Sequence, residues 1–332
     1  MSKDVGTVFS RSCEVCEGTS SRYISMPAGP YVRCLKCGFI WLENSQDRAR
    51  SRGGGDYTAS EDRMRKNQKL ADDYWQKLYP YLSQLKPGSL FVELGGGYGF
   101  FSALLRNRLS LTAILIEPGD TGRDYASEVL KLRTYRSVEE ARTAGLSHAD
   151  MIFSGHVWEH VSHAVNFVRE SVPLLKDQGL WCALTPNADS WKLQYAGKCW
   201  CWLSSDHPQI LSPRSARFAL NKSQLKVIAI KETIPASVHY PGVLIGLFSW
   251  LKERFKKEKL SRGHFTLSSQ TSDQPKRKVG RLPWVRYFFC CLQSVALLER
   301  FGFYQIDRRF GTDEFLAVGK RKGCPADPSA SS

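Results

Sequence analysis

The sequence predicts an α/β fold with a mostly parallel β-sheet and helices on both faces. Two observations predict this fold class. From residue 90 onward, short apolar segments alternate with segments of helical periodicity, which is the pattern of strand–helix–strand units. The first apolar segment, Leu90–Leu94, runs directly into the glycine-rich turn 95–99 and then into a helix-compatible segment. A strand, a tight turn and a helix start in this order are typical of an α/β sheet.

Four cysteines precede this unit and form two Cys-x-x-Cys pairs separated by 17 residues. Each pair can place two thiolates on one knuckle turn, so the two pairs together predict a tetrahedral zinc site. Four buried but unrelated thiols are the alternative interpretation. Four protein ligands leave no open coordination position, so we expect a structural zinc ion within a ribbon of residues 1–42. The ligands would be Cys13, Cys16, Cys34 and Cys37.

Residues 43–86 are predicted to form a linker followed by a helix. The first part is polar and contains the segment Arg50–Gly55, rich in Gly and Arg, which is typical of a linker. In the second part, Leu70, Tyr74, Leu78 and Leu82 recur at helical spacing, so a helix is expected there.

The glycine-rich turn predicts a cofactor site. Glycines let the backbone approach a ligand closely, and the helix that follows offers unpaired N–H groups. A dinucleotide-binding turn needs a third glycine where this chain has Phe100, so that pattern fails. A second apolar strand, 112–116, ends in Glu117, which lies 22 residues after Gly95. An acid there can accept both hydroxyls of an unphosphorylated ribose.

The elements beyond Glu117 follow the same alternation. We predict helices or helix starts at 120–130, 155–161 and 164–176, and strands at 131–135, 149–154, 180–184, 224–231 and 313–320.

The turn preceded by Glu93, together with Glu117, resembles motif I and the following acidic motif of class I S-adenosylmethionine-dependent methyltransferases. The segment "LLKDQGLWCALTPN" is similar to a further motif of that family. The resemblance implies a Rossmann-like sheet of seven strands with the last one antiparallel, and S-adenosyl-L-methionine as cofactor. It implies a cofactor-binding set of Glu93, Gly95, Gly97, Gly99, Glu117 and Ser154. The paired cysteines resemble the zinc ribbon of many bacterial methyltransferases in natural-product and surface-sugar pathways.

The motif His156-x-x-Glu159-His160 has two interpretations. On one helix this spacing can bind zinc, as in some metallopeptidases. Its place after a strand edge instead favours a resemblance to the fourth-strand methyltransferase motif, which faces the sulfonium. Some quinone O-methyltransferases carry a Glu-x-x-Glu-His version of that motif that holds a divalent ion, whereas this chain has His156 in place of the first glutamate. A later segment, Asp206-His207-Pro208, resembles one whose histidine lies over the acceptor pocket. Histidine suits base catalysis near neutral pH, so His160, His207 and His156 are the candidate catalytic residues.

The net charge of +15 indicates anionic partners and is concentrated between residues 252 and 322. We predict a core at 87–234, a helical and basic insertion at 235–311, a closing strand at 312–322 and a disordered tail at 323–332. Residues 241–300 are interpreted as a peripheral contact with membrane or anionic lipid, with a lid or a dimer face as alternatives. The polar N-terminus and the ten cysteines predict a cytoplasmic protein, with a peripheral position at the inner face of the membrane as an option.

The leading hypothesis is methyl transfer from S-adenosylmethionine to carbon or oxygen of a small-molecule acceptor that is a sugar, lipid-linked or of the polyketide type. An RNA methyltransferase is the second hypothesis, because a ribbon and basic residues suit a polyanion, although no RNA-binding motif is identified. A non-catalytic scaffold is the third, and an oxidoreductase, weakened by Phe100, is the fourth.

Overall fold

The computed structural model describes residues 12–27, 29–43, 61–233 and 312–323. The predicted insertion 235–311, its interpretation as a membrane contact through 241–300, most of the linker and the tail beyond Gly323 lie outside these residues. Within the described part, no helix has the length and apolar character needed to cross a membrane.

The chain alternates between strands and helices as its apolar pattern predicts. The strands are β1 Ser20–Met26, β2 Gly29–Cys34, β3 Ile40–Leu42, β4 Leu90–Leu94, β5 Thr112–Ile116, β6 Arg133–Tyr135, β7 Ala149–Gly155, β8 Leu175–Pro186, β9 Gln209–Ile210, β10 Leu225–Thr233 and β11 Glu314–Arg321. The helices are α1 Glu61–Leu82, α2 Phe100–Leu109, α3 Asp120–Glu128, α4 Val138–Thr143, α5 Ala164–Ser171, α6 Trp191–Ala196 and α7 Pro213–Lys222. Residues Trp191–Cys201, which contain α6, belong to a separate compact unit.

The larger sheet has seven strands in the order β10-β11-β8-β7-β4-β5-β6. Strands β4, β5, β6, β7 and β8 pair in parallel, whereas β11 is antiparallel to both of its neighbours. The predicted α/β class and the predicted seven-stranded sheet with an antiparallel last strand are therefore confirmed. Strand β4 is the central one of the five parallel strands, and the turn after it lies at their carboxyl edge, where ligands bind in such folds.

Alternate residues of the central strands supply two apolar cores, one on each face of the sheet. Val92 and Ile152 pack on one side with α5 and α7, and Phe91 and Phe153 pack on the other side with α1 and α2. This alternation follows from the period of two in a strand. Two-sided burial holds the central strands rigid and fixes the loops at their ends.

A second sheet has the order β1-β2-β3-β9 and contains the cysteine ribbon. Its first three strands come from the ribbon, but β9 belongs to the loop region that follows β8. Ile40 pairs with Ile210 and Trp41 with Gln209. The ribbon is thus joined to the larger unit by main-chain hydrogen bonds.

The helix predicted to begin within residues 155–161 is wrong. Gly155 is the last residue of β7, residues 156–161 form turns and bends, and α5 begins only at Ala164. His156 has a φ of 55°, a left-handed conformation that cannot continue a right-handed helix. The indole Nε1 of Trp158 donates to the carbonyl of Ala164 at 2.9 Å and closes the turn. His156, Glu159 and His160 therefore do not share a helix face.

Candidate active site

A cavity of about 290 Å³ lies at the carboxyl edge of the central strands. The residues around it come from α1, the turn after β4, the end of β5, α3 and the end of β7: Lys66, Asn67, Leu70, Ala71, Tyr74, Glu93, Gly95, Gly96, Gly97, Tyr98, Phe100, Phe101, Glu117, Gly122, Gly155 and His156. We call the turn 95–99 with Glu93 and Glu117 the cofactor side. The acceptor side consists of His156, His160, His207 and the loop 202–208.

The glycines of the turn are required by backbone conformation and by space. Gly95 and Gly97 adopt φ values of 68° and 57°, which disfavour other residues. A Cβ on Gly96 would lie 2.4 Å from Cδ of Glu93. A Cβ on Gly122 in α3 would lie 2.7 Å from the carbonyl oxygen of Gly97. The backbone of the turn therefore touches the backbone of α3, and this contact leaves no room for a side chain at Gly122.

Glu117 follows β5 directly and holds the turn in place. Its Oε2 accepts a hydrogen bond from the N–H of Gly97 at 2.8 Å, and its Oε1 accepts one from the N–H of Gly119 at 2.8 Å. Burial raises the pKa of Glu117, against the effect of these two N–H donors. A carboxylate has about four acceptor positions, so each oxygen of Glu117 retains one for a ligand in the cavity.

The buried side chain of Glu93 supports the glycine turn by binding the first turn of α2. Its Oε2 accepts from the N–H of Ser102 at 3.0 Å and from Oγ of the same residue at 2.6 Å. Burial raises the pKa of Glu93 to about 7, and the nearby charge of Glu117 acts in the same direction. The carboxyl group of Glu93 therefore holds the start of α2 next to Gly96.

Two members of the predicted cofactor set lie away from the cavity wall. Gly99 is the N-cap of α2 with φ 76°, and a Cβ there would meet Cδ1 of Leu132 at 2.8 Å. Ser154 is fully buried on β7, beside Leu94 of β4. The next two residues, Gly155 and His156, reach the cavity instead.

Sequence reasoning missed the contribution of Gly122. The side chains of Asn67 and Tyr74 on α1 line the cavity. A glycine inside a helix costs roughly 1 kcal/mol relative to alanine, so Gly122 was a signal of close approach. No comparable signal marks Asn67, because its role depends on contacts far apart in sequence.

His156 lies between two fully buried carboxylates. Its Nε2 is 2.9 Å from Oε2 of Glu314, and its Nδ1 is 3.4 Å from Oε1 of Glu159. Both contacts are ion pairs, and the angles at the contacting atoms do not fit hydrogen bonds. Although burial opposes the charged ring, the two carboxylates raise the pKa of His156 well above its ordinary value. The ring stacks on Trp202 with centroids 5.3 Å apart.

Glu314 belongs to the closing strand and has a second cationic partner. Its Oε1 accepts from Nζ of Lys77 at 2.8 Å. Although burial opposes ionisation, His156 and Lys77 lower the pKa of Glu314 to about 2. This ionic group ties β11 and α1 to the cavity wall, and neither Glu314 nor Lys77 was a sequence candidate.

His160 and His207 are brought together from segments 47 residues apart. Their ring centroids are 4.6 Å apart at 62°. His160 is exposed, whereas His207 is 9% exposed. Burial lowers the pKa of His207, and the charge of His160 acts in the same direction. Neither ring lines the cavity, so His156 is the candidate histidine nearest to the cofactor side.

The four ribbon cysteines converge with geometry that fits a tetrahedral metal. The Sγ atoms of Cys13 and Cys37 are 3.7 Å apart, and those of Cys16 and Cys34 are 3.4 Å apart. All four Sγ atoms lie within 4.8 Å of one another. Tetrahedral zinc with Zn–S bonds of about 2.3 Å places its sulfurs about 3.8 Å apart. All four thiols are free of disulfide bonds and buried, so their arrangement is compatible with a tetrahedral metal site.

A family model described as "Methyltransferase domain" matches residues 64–230. The chain belongs to this methyltransferase family. The matched range covers most of α1, the glycine turn and Glu117, which line the cavity, and it also covers the histidine cluster and most of β10. The resemblance to class I S-adenosylmethionine-dependent methyltransferases is confirmed, and the protein is a methyltransferase enzyme.

Several solved methyltransferase structures resemble this chain in structure at low sequence identity. One chain comes from the complex between the Haloferax volcanii Trm112 methyltransferase activator and a methyltransferase, with 15% identity, a TM-score of 0.47 and coverage of 78% of this chain and 94% of that one. A SAM-dependent methyltransferase from Archaeoglobus fulgidus has 14% identity, a TM-score of 0.45 and coverage of 76% and 94%. Geranyl diphosphate C-methyltransferase from Streptomyces coelicolor has 14% identity, a TM-score of 0.45 and coverage of 80% and 86%. The search of curated proteins finds no match.

Proposed function

We propose that the cavity binds S-adenosyl-L-methionine and that the enzyme transfers its methyl group to a small-molecule acceptor. One observation carries the cofactor assignment. The Glu117 carboxylate lies on the cavity wall beside the glycine turn, where it accepts from the N–H groups of Gly97 and Gly119 and keeps one acceptor position on each oxygen. The two ribose hydroxyls of an adenosyl group match these positions. Glu93 would support the turn, and Gly95 and Gly97 would contact the ligand through their backbone.

Aromatic residues of the cavity wall favour an adenosyl sulfonium over a dinucleotide. Phe100 occupies the place of the third glycine of a dinucleotide turn, and it lines the cavity. Tyr74, Tyr98 and Phe101 add aromatic surface around the same space. Their rings suit an adenine and a sulfonium, which carries a positive charge.

Transfer of a methyl group from a sulfonium is an in-line displacement in which the protein mainly aligns the acceptor. Such alignment can supply ~7–11 kcal/mol of the barrier reduction. A base is needed only for a hydroxyl or an acidic carbon. We propose that His156, His160 and His207 form the acceptor side, with His156 closest to the cavity. The acceptor is proposed to be a sugar, a lipid-linked molecule or a polyketide-type compound, methylated on carbon or oxygen.

Zinc in the ribbon is the second part of the proposal. Cys13, Cys16, Cys34 and Cys37 would hold the ion with no open position, so its role is structural. The ribbon supports the acceptor side directly, because the hydroxyl of Tyr31 donates to the carbonyls of Ser204 at 2.6 Å and His207 at 2.8 Å.

Calorimetry of S-adenosylmethionine binding tests the cofactor assignment. We expect Glu117→Ala to weaken binding by at least roughly 10- to 100-fold, because even one hydrogen bond to a charged group contributes about 1.5–3 kcal/mol. Glu139→Ala, at an exposed carboxylate on α4, is the matched control and should bind as the wild type does. Undiminished binding in Glu117→Ala, or preferential uptake of nicotinamide dinucleotide by the wild type, would contradict the proposal.

The acceptor class is tested by following formation of S-adenosylhomocysteine with panels of sugar nucleotides, phenolic polyketides, lipid-linked sugars and RNA. We expect turnover with a small-molecule panel. Turnover with RNA alone, together with a steep dependence on salt, would replace the small-molecule acceptor by RNA.

A further inference from the structure

Three side chains on the acceptor side point to a second metal centre. Glu159 and His160 come from the turn after β7, and His207 comes from the loop before β9. One ligand atom from each lies within 4.8 Å of the others. We propose that these residues bind a divalent transition-metal ion. Two imidazoles and one carboxylate suit Zn²⁺, Fe²⁺ or Co²⁺ rather than Mg²⁺ or Ca²⁺, which prefer oxygen ligands.

Both imidazole rings are held in the orientation that a metal ligand needs. Nδ1 of His160 lies 2.8 Å from the carbonyl oxygen of Asp206, and Nδ1 of His207 lies 2.7 Å from that of Trp202. A carbonyl oxygen can only accept, so in each ring Nδ1 carries the hydrogen that is donated. In the neutral ring this leaves the lone pair on Nε2. A backbone carbonyl behind a histidine is the usual support of a metal-bound imidazole.

The carboxylate supplies a buried oxygen that accepts no hydrogen bond from the residues that the structure describes, although it forms an ion pair with His156. Glu159 is fully buried, and its Oε2 accepts from Oγ1 of Thr185 at 3.1 Å. Oε1 has no hydrogen-bond partner among the described residues. His156 does not satisfy it, since its Nε2 faces Glu314 and its Nδ1 remains 3.4 Å from Oε1. A cation between Oε1 and the two Nε2 atoms would satisfy this oxygen.

The two segments that carry these ligands are fixed to each other. The amide Nε2 of Gln209 donates to the carbonyl of Trp158 at 2.7 Å, which joins the loop before β9 to the turn after β7. The Tyr31 hydroxyl holds the same loop through the carbonyls of Ser204 and His207. These contacts fix the spacing of the three ligand residues.

The proposed centre differs in kind from the ribbon site. Four thiolates close the ribbon site, whereas three protein ligands leave coordination positions for water or an acceptor oxygen. His160 is exposed, so the ion would be reachable from solvent. A helix-borne His-x-x-Glu-His site, the other interpretation of the motif, would use His156, whereas the structure replaces it with His207.

Titration of the full-length, zinc-loaded enzyme with Co²⁺, without cofactor or acceptor, tests this inference. Calorimetry should show one Co²⁺ bound per chain in addition to the ribbon zinc. The visible spectrum should show d–d bands without a thiolate-to-cobalt charge-transfer band, which would instead report exchange into the ribbon. Because the readout is metal binding alone, the result does not depend on the proposed methyl transfer.

Three variants and one control decide the ligand set. We expect Glu159→Gln, His160→Ala and His207→Ala each to weaken Co²⁺ binding by at least roughly 100-fold, the upper end of the loss seen for residues that only support ligands. His148→Asn changes an exposed histidine outside the cluster with φ 62°, a conformation that asparagine tolerates, and should leave binding unchanged. Absence of Co²⁺ binding beyond the ribbon, or undiminished binding in His160→Ala, would overturn the inference. His160 is exposed, so this variant keeps the test decisive if the two buried substitutions impair folding.

Discussion

The cofactor side and the acceptor side of this methyltransferase are built in opposite ways. The cofactor side comes from one continuous stretch, in which β4, the glycine turn and β5 bring Glu93 and Glu117 together within 25 residues. The acceptor side brings together His156, His207, Glu314 and ribbon residue Tyr31, which are far apart in the sequence. Local backbone geometry therefore shapes the proposed cofactor side, whereas the proposed acceptor side depends on long-range packing. Substitutions on one side should therefore leave the other side largely unchanged.

Loss of the ribbon metal should have the largest effect and should fall on the acceptor side. Structural zinc contributes ~10–16 kcal/mol in isolated peptides, so Cys34→Ala should release zinc and unpair β3 from β9. We expect faster amide hydrogen exchange across 204–212, with little change in β4 and β5. Metal analysis and mass-spectrometric hydrogen exchange measure both effects. The control is Cys201→Ser, at an exposed cysteine outside the ribbon. If residues 204–212 were as protected from exchange in Cys34→Ala as in the wild type, the ribbon would not support the acceptor side.

A pH dependence of stability should report on the cofactor side. The pKa of Glu93 is raised by burial from 4.5 to about 7, so its folded state binds a proton that the unfolded chain has released. This contribution to stability is fully present below pH 4.5 and is lost as the pH rises through about 7. Over that window the free energy of unfolding should fall by on the order of 3 kcal/mol.

Glu93→Gln should remove most of this dependence, because a neutral amide does not titrate. Chemical denaturation at a series of pH values measures it, with Glu139→Gln, at an exposed carboxylate, as the control. An identical pH slope in the wild type and in Glu93→Gln would show that Glu93 keeps an ordinary pKa.

The smallest expected effect is that of Tyr31→Phe, which removes one hydroxyl from the ribbon. Burial raises the pKa of Tyr31 to about 12, and the charge of Asp206 acts in the same direction, so the hydroxyl stays a donor. Its loss should destabilise the enzyme by about 1–2 kcal/mol and speed amide exchange at 204–208. Affinity for S-adenosylmethionine should not change. Tyr79→Phe, at a tyrosine 52% exposed, is the control, and a weaker cofactor affinity in Tyr31→Phe would mean that the ribbon also supports the cofactor side.

The sequence was informative where structure is local. The strand–turn–helix unit at Leu90, the acid at 117 and the paired cysteines each depend on spacing within a short stretch, and the structure places them as predicted. The α/β class also followed, because the alternation of apolar and helical segments leaves few topologies.

Prediction was weaker where conformation or contact is not encoded nearby. His156 takes a left-handed backbone conformation, which no neighbouring residue signals, so the turn after β7 was predicted as a helix. The pairing of Glu314 with His156 joins residues 158 positions apart, and β9 has only two residues, too few for a periodic pattern. These features depend on tertiary packing, which overrides local propensity.

The two-residue strand β9 has a consequence for how this enzyme can change. Because the ribbon completes its sheet with a strand from the loop that bears His207, the metal knuckles and the acceptor loop share one hydrogen-bonded frame. A ribbon grafted from a relative would need the matching residues 202–212 of that relative. A loop redesigned for a new acceptor would have to keep the pairing of Ile40 with Ile210. Acceptor specificity and ribbon sequence are therefore expected to diverge together, as one inherited module.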